Sequence, residues 1–404
     1  MDRLRVGVIG CGAIAQIMHL PYLRQLSDRY EIAALCDLSP ALVESVGEYY
    51  HVSRRYTDYR DLLAADASSF DSPLRLRSPL PSVGDFAGQG SGGSGQALDA
   101  IIVLTAGSHA PPALAALRAG KHVLVEKPMC FTLREADEMI AAAEASGRTL
   151  MVAYMKRYDP GYRYAQAALS GLGELRYIQI NTLHPAETDY LNVHRIVRAS
   201  DIPPEIVERL AVEQDRLVVE AIGAVAEPLR SIYTDVILGS LVHDVNALRG
   251  LVGEPEAVTF TDIWPGGAKL PCITTVLRHS GSLRTVYTWA WLPDLRHYFE
   301  EIALMSASGR VRVQFPSPYL RHFPTPVVVE HMENGAAVEK RVTASYAEAF
   351  KEELIHFYEC VTQRKKPLTD ARDARRDIEI LQQVVATLDP PGIGGEAKRV
   401  RVGS

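Results

Sequence analysis

Residues 5–23 read RVGVIGCGAIAQIMHLPYL. An apolar run from Leu4 to Ile9 leads into Gly10 and Gly12, and a helical pattern opens through Ala13, Ile14 and Ala15. Gly10 makes the tight turn and Gly12 lets the main chain approach a pyrophosphate. The helix N-terminus offers that pyrophosphate free N–H groups and a positive dipole end. The second strand-like run ends at Asp37, 25 residues after Gly12, where a carboxylate can accept hydrogen bonds from the adenosine ribose hydroxyls. Asp37 repels a 2′-phosphate, and Leu38-Ser39 brings no Arg to reverse the preference. The expected cofactor is NAD, with NADP as the alternative. A lone glycine-rich turn also occurs in other α/β folds; the strand before it, the helix after it and Asp37 weigh against that reading here.

Outward from this turn, residues 4 to about 154 alternate apolar β-rich runs with helical periods. Leu4 to Ile9, Ile32 to Cys36, Ala100 to Leu104, His122 to Val125 and Thr149 to Ala153 read as strands. Helices between them give the βαβ rhythm of a parallel sheet covered on both faces. The rhythm breaks at Ala67–Gln96, rich in Ser, Pro and Gly, where 88–95 read GQGSGGSG. With few apolar side chains to offset ordering entropy, the stretch reads as a mobile surface insertion, and a lid over the cofactor is the functional alternative.

Past residue 155 the period changes. Strand-like runs at 175–183, 256–264, 272–279, 283–292, 301–306, 310–315 and 326–330 lie close together, as in an antiparallel or mixed sheet. Helical patterns fall at about 204–226, 230–252, 345–363 and 370–388, and the last dozen residues read as a tail. The expected fold class is α/β: an N-terminal Rossmann domain, doubly wound on a parallel sheet, over 1–155, then an α/β domain over 156–404 with a large, mainly antiparallel open sheet.

The 404 residues exceed what one core usually encloses, which agrees with two domains. A net charge of −6 gives no electrostatic reason to expect nucleic acid or an anionic membrane as partner. The five cysteines are scattered without a CxxC pair, so no metal or redox site is expected and reduced thiols fit best. No apolar stretch approaches a membrane span and the start carries no export signal, so the expected location is cytoplasmic.

Glu126-Lys127-Pro128 follows the strand His122 to Val125. Ligands bind at the carboxyl ends of parallel strands, so Lys127 is aimed at the crevice. Its ammonium can hold a substrate oxygen and steady the negative charge that develops there. Taken alone, such a lysine is more often a solvated surface residue.

GVIGCGAIAQ (7–16), DAIIVLTAGSHAPPALAALRAGKHVLVEKPM (99–129), MVAYMKRYDPGY (151–162) and FKEELIHFYECVTQRKKPLTDARDARRDIEIL (350–381) together resemble the Gfo/Idh/MocA family, that of glucose-fructose oxidoreductase and inositol 2-dehydrogenase. The resemblance spans nearly the whole chain, apart from 67–96 and parts of 186–230. It implies NAD(P)-dependent oxidation or reduction at a carbinol of a sugar, cyclitol or similar molecule. It also implies a homo-oligomer, dimer or tetramer, formed through the open face of the second sheet.

Carried over by motif, the catalytic lysine falls on Lys127 and the acid/base histidine on His243, within GSLVHDVNALRGL (239–251). Thr105, His109 and Glu126 join the cofactor set, and Arg157, Tyr158 and Asn246 join Lys127 and His243 around the substrate. Two departures stand out. Thr105-Ala106 replaces a common Thr-Pro, and Gly239 stands where an aspartate usually precedes the histidine by four residues. On an α-helix, 235, 239, 243 and 246 share a face, so Ser240 and Asn246 are the neutral groups near His243, and Asp235 is about 12 Å away.

Tyr190, His194, Arg195 and Arg198 lie in a stretch, 187–233, expected to be helical. It reads either as a wall of the substrate pocket or, more often for such charges, as a solvated face. Tyr287, Trp289 and Trp291 alternate at strand spacing, which fits a subunit interface better than substrate stacking. Three functions follow from these residues: a dehydrogenase or reductase, a redox-neutral enzyme with retained NAD, and a non-catalytic NAD-binding sensor. A sensor needs neither Lys127 nor His243, which weighs against it.

Overall fold

The computed structural model of the protein describes residues 3–67, 97–266 and 270–388. The insertion expected at 67–96, past its first residue, and the tail lie outside the described residues.

The chain forms two compact units. The first comprises Met1–Met155 with His194–Asp215 and Phe350–Arg375; the second comprises Lys156–Val193, Arg216–Ala349 and Arg376–Ser404. A division at 155/156 puts the two later segments of the first unit in the second. Side-chain hydrogen bonds explain why Phe350–Arg375 sits with the first. Tyr30 donates its hydroxyl to the Leu354 carbonyl at 2.5 Å, and Thr369 Oγ1 donates to the Val152 carbonyl at 2.6 Å.

In the first unit, β1 (Leu4–Ile9), β2 (Tyr30–Cys36), β3 (Arg55–Tyr56), β4 (Ala100–Val103), β5 (His122–Glu126) and β6 (Leu150–Ala153) form a parallel sheet in the order β3-β2-β1-β4-β5-β6. Every residue of β4 and β6 is buried. Helices cover both faces of such a sheet, which is why these strands read as unbroken apolar runs. Each buried Val, Ile or Leu contributes roughly 1.5–3 kcal/mol. Helix ends follow local chemistry: Thr132 and Glu135 form a capping box for Leu133–Ser146, and Gly147, at φ 63°, closes it. The strand order reverses between β1 and β4, so their carboxyl ends open a crevice.

In the second unit, β7 (Leu175–His184), β8 (Ala257–Pro265), β9 (Pro271–Arg278), β10 (Arg284–Trp291), β11 (Phe299–Ser306), β12 (Gly309–Phe315), β13 (Pro326–Glu333) and β14 (Ala336–Thr343) form a mixed sheet, order β14-β13-β12-β11-β7-β10-β9-β8. Its pairs are antiparallel except β7 with β10. One face buries Ile180, Tyr287, Trp289, Ile302 and Val311. The aromatic stripe therefore belongs to the core of its own unit, not to the subunit interface expected for it. Tyr287 donates to Asp244 Oδ2 at 2.6 Å and Trp289 Nε1 donates to Ser240 Oγ at 2.9 Å.

Two further expectations change. The stretch 187–233 is not one helix: a short turn at Thr188–Leu191 gives way to irregular chain, and the long helix begins at Pro204. Pro203 and Pro204 bar the preceding residues from helical geometry. The helix before His243 is π-wound over Ile232–Leu241 and becomes α-helical at Val242–Val252. The uniform α-helical face drawn through 235, 239 and 243 does not hold there, because a π turn takes in an extra residue.

Candidate active site

The first unit gathers Gly10, Gly12, Ala13, Ile14, Ala15, Asp37, Thr105, His109, Glu126 and Lys127. Gly10 has φ +100°, and a Cβ there would lie 2.5 Å from the Leu104 carbonyl carbon and oxygen, so the turn is wedged against the end of β4. A Cβ on Gly12 would meet nothing within 4 Å. That side of the loop is open, as close approach of a pyrophosphate requires. Asp37 closes the loop from β2: Oδ2 accepts the Cys11 N–H at 2.7 Å and Oδ1 the Ser39 N–H at 2.9 Å.

Across the crevice, Thr105 Oγ1 is buried without a hydrogen-bond partner in the protein. An orphaned hydroxyl beside an open glycine loop fits a polar ligand that supplies the missing bond. These residues therefore fit a dinucleotide.

His109 ties the loops after β4 and β5 together, Nδ1 facing the Pro128 carbonyl at 2.6 Å and Nε2 the Thr105 carbonyl at 2.8 Å. Burial pulls its pKa below the usual imidazole value, against the pull of those carbonyls and of Glu126.

Glu126 is buried at the end of β5, with Oε1 2.7 Å from His19 Nε2 and Oε2 accepting the Lys127 backbone N–H at 3.0 Å. Burial pushes its pKa up, but the His19 hydrogen bond and charge, with Lys127 and His109 nearby, outweigh it and hold the carboxyl below its ordinary value. An ionised Glu126 thus fixes the turn that presents the half-buried Lys127. His19 was not foreseen, because its partner lies 107 residues away and nothing local marks it.

The second unit holds Arg157, Tyr158, His243 and Asn246. Ser240, expected near His243, accepts from Trp289. Asn246 is fully buried, its amide donating to Asp377 Oδ2 at 2.8 Å and its carbonyl oxygen lying 3.4 Å from Arg157 Nη1. Arg157 packs flush on Gly250, where a Cβ would lie 2.4 Å from its Nε. Tyr158 is buried. These three groups are engaged inside the unit.

The sequence reading missed what anchors the His243 helix. Asp244, fully buried, pairs with Lys156 Nζ at 2.7 Å and accepts from Thr182 Oγ1 at 3.0 Å and Tyr287. Lys156 also pairs with Glu300, whose Oε2 accepts from Tyr298 at 2.8 Å. One cation faces two carboxylates, and three hydroxyls supply the remaining donors. The only local signals are Asp244 beside His243 and Lys156 beside Arg157.

Among the described residues no group of His, Cys, Asp and Glu could hold a metal ion, and no helix is long and apolar enough to cross a membrane.

The family model described as "Oxidoreductase family, NAD-binding Rossmann fold" (Gfo/Idh/MocA) matches residues 4–71 and 94–154. The inositol 2-dehydrogenase of Paracoccus denitrificans is 34% identical over 161 residues, 39% of this chain and 39% of the relative, so the match spans well under two thirds of that protein. Among solved structures, an oxidoreductase from Agrobacterium radiobacter in complex with NAD+, L-tartaric acid and magnesium has a TM-score of 0.66 at 16% identity, covering 96% of both chains. The aldose-aldose oxidoreductase of Caulobacter crescentus has a TM-score of 0.65 at 18% identity, covering 96% of this chain and 97% of the other. These likenesses show the shared fold. The match to the Gfo/Idh/MocA family of NAD-binding oxidoreductases thus lies in residues 4–71 and 94–154, within the Rossmann unit.

Proposed function

We propose that the protein is an NAD-dependent oxidoreductase that interconverts a carbinol and a keto carbon of a sugar, cyclitol or related polyhydroxylated small molecule. The observation that carries this reading is Lys127, presented by an ionised Glu126 at the end of β5 in the unit that also holds the open glycine loop. When bound, NAD supplies the hydride acceptor, or as NADH the donor.

Lys127 holds the substrate oxygen and stabilises negative charge on it as the C–H bond breaks. His243 takes the hydroxyl proton, so that the alcohol loses one hydride and one proton, and returns the proton in the reverse direction. Arg157, Tyr158 and Asn246 are the further groups assigned to the substrate side, and Arg157 braces the helix that carries His243 through Asn246. The protein acts in the cytoplasm as a homo-oligomer joined through the open face of the second sheet, where Arg312 bonds Glu330 at 3.0 Å and Glu339 at 3.2 Å. Light scattering on the purified protein tests the assembly.

The activity test is a fluorescence screen for NADH formation or loss with sugars, cyclitols, aminosugars and their keto forms. Turnover of any of these supports the reading. Tight NAD+ binding with no turnover across the whole panel counts against it and favours a sensor or a retained-cofactor cycle.

A further inference from the structure

The stretch 194–201 belongs to the first unit and is pinned to the rim of its crevice at two places. Gln16, in the helix that follows the glycine loop, donates from Nε2 to the Val197 carbonyl at 3.0 Å and accepts the Val197 N–H on Oε1 at 2.8 Å. The same Nε2 donates to the Cys11 carbonyl at 2.8 Å, so the stretch is tied to the glycine loop itself. Four residues later, Asp201 reaches the N-terminus of the helix Pro40–Tyr50: Oδ1 accepts from Ser39 Oγ and Oδ2 accepts the Ala41 N–H at 2.8 Å.

Those donors lie immediately beyond Asp37, and Ser39 is itself bonded to Asp37 through its backbone N–H. In a Rossmann unit the carboxylate at the end of the second strand receives the adenosine ribose, and an added 2′-phosphate projects past it toward the residues that follow. A serine hydroxyl and a free helix-terminal N–H are the groups an added phosphate would need there. Here a carboxylate already occupies them.

We propose that Asp201 is a cofactor-specificity residue: it fills the anion cradle of Ser39 and Ala41 and, with Asp37, excludes the 2′-phosphate of NADP. This rests on the proposal that the first unit binds a dinucleotide for catalysis. It adds a second determinant, 164 residues from Asp37 in the chain. A 2′-phosphate carries about −1.5 to −2 charges at neutral pH, so two carboxylates repel it, and the Ser39 and Ala41 donors are already taken.

The test is calorimetric titration of the intact wild type, Asp201→Ala and Asp201→Asn with NAD+ and with NADP+, which needs no substrate. Wild type should bind NAD+ at least about tenfold more tightly than NADP+, and Asp201→Ala should tighten NADP+ about tenfold while moving the NAD+ Kd less than threefold. Asp201→Asn removes the charge but keeps an acceptor, and should recover part of that gain. An unchanged ratio of the two affinities in both variants overturns the proposal, as does wild type that binds NADP+ as well as NAD+ through, for example, the exposed Arg198. A parallel loss of both cofactors in the variants overturns it too, by making Asp201 a structural clasp. Wild type that binds neither dinucleotide overturns the Rossmann reading beneath it.

Discussion

Asp244 and Asn246 of the second unit and Thr105 of the first are buried polar groups treated in opposite ways. In the second, Asp244 is saturated by Lys156, Thr182 and Tyr287, and Asn246 by Asp377 and Arg157. In the first, Thr105 Oγ1 is left without a partner and Gly12 faces open space. A buried polar atom left unsatisfied costs about 1–3 kcal/mol, so such atoms persist where a ligand completes them. The second unit builds a rigid platform for one histidine; the first keeps groups in reserve for a cofactor.

The contrast can be broken at its strongest point first. Asp244→Ala leaves Lys156 short of one carboxylate and strands two hydroxyls, and should cost about 3–5 kcal/mol in a denaturant melt. A loss under about 1 kcal/mol would mean the network is not what holds the His243 helix. Gly10→Ala, forced into a positive φ against Leu104, should cost about 3 kcal/mol. Gly12→Ala sharpens the contrast: the melt should stay within about 0.5 kcal/mol of wild type, while the NAD+ Kd rises about tenfold. Equal effects of the two alanines on stability would remove the distinction between a wedged glycine and an open one.

The smallest effect concerns Glu353, fully buried with neither carboxylate oxygen hydrogen-bonded. Burial, reinforced by Glu126, pushes its pKa well above the ordinary value. The folded state then holds a proton that the unfolded state releases above about pH 4.5, so stability falls as pH rises from there toward the raised pKa. Glu353→Gln should remove that slope and raise Tm by about 2–4 °C at pH 8, with little change at pH 4. Parallel Tm-against-pH curves for the two proteins would contradict the assignment.

Strands of the first unit were legible almost to the residue, because chain buried on both faces is an unbroken apolar run. β3, two residues long, and β14, AAVEKRVT on an exposed sheet edge, carry no such signal. The glycine loop and Asp37 could be read because local chemistry dictates residue types at fixed spacing, whereas Lys127 was singled out by its place at a strand end and by family resemblance. His19 with Glu126, Asp244 with Lys156, and Gln16 with Val197 could not, since each pairing is made by the fold across at least 88 residues. The aromatic stripe was placed on the correct spacing but the wrong surface. Alternation fixes which residues share a face, not what covers it.

The most direct test of the central claim is single-turnover NADH fluorescence for Lys127→Ala with saturating NAD+ and a substrate found in the screen. Hydride transfer should slow by about 10²–10⁴ while the NAD+ Kd stays within threefold. Hydride transfer at the wild-type rate would remove Lys127 from the chemistry and, with it, the observation on which the proposed function rests.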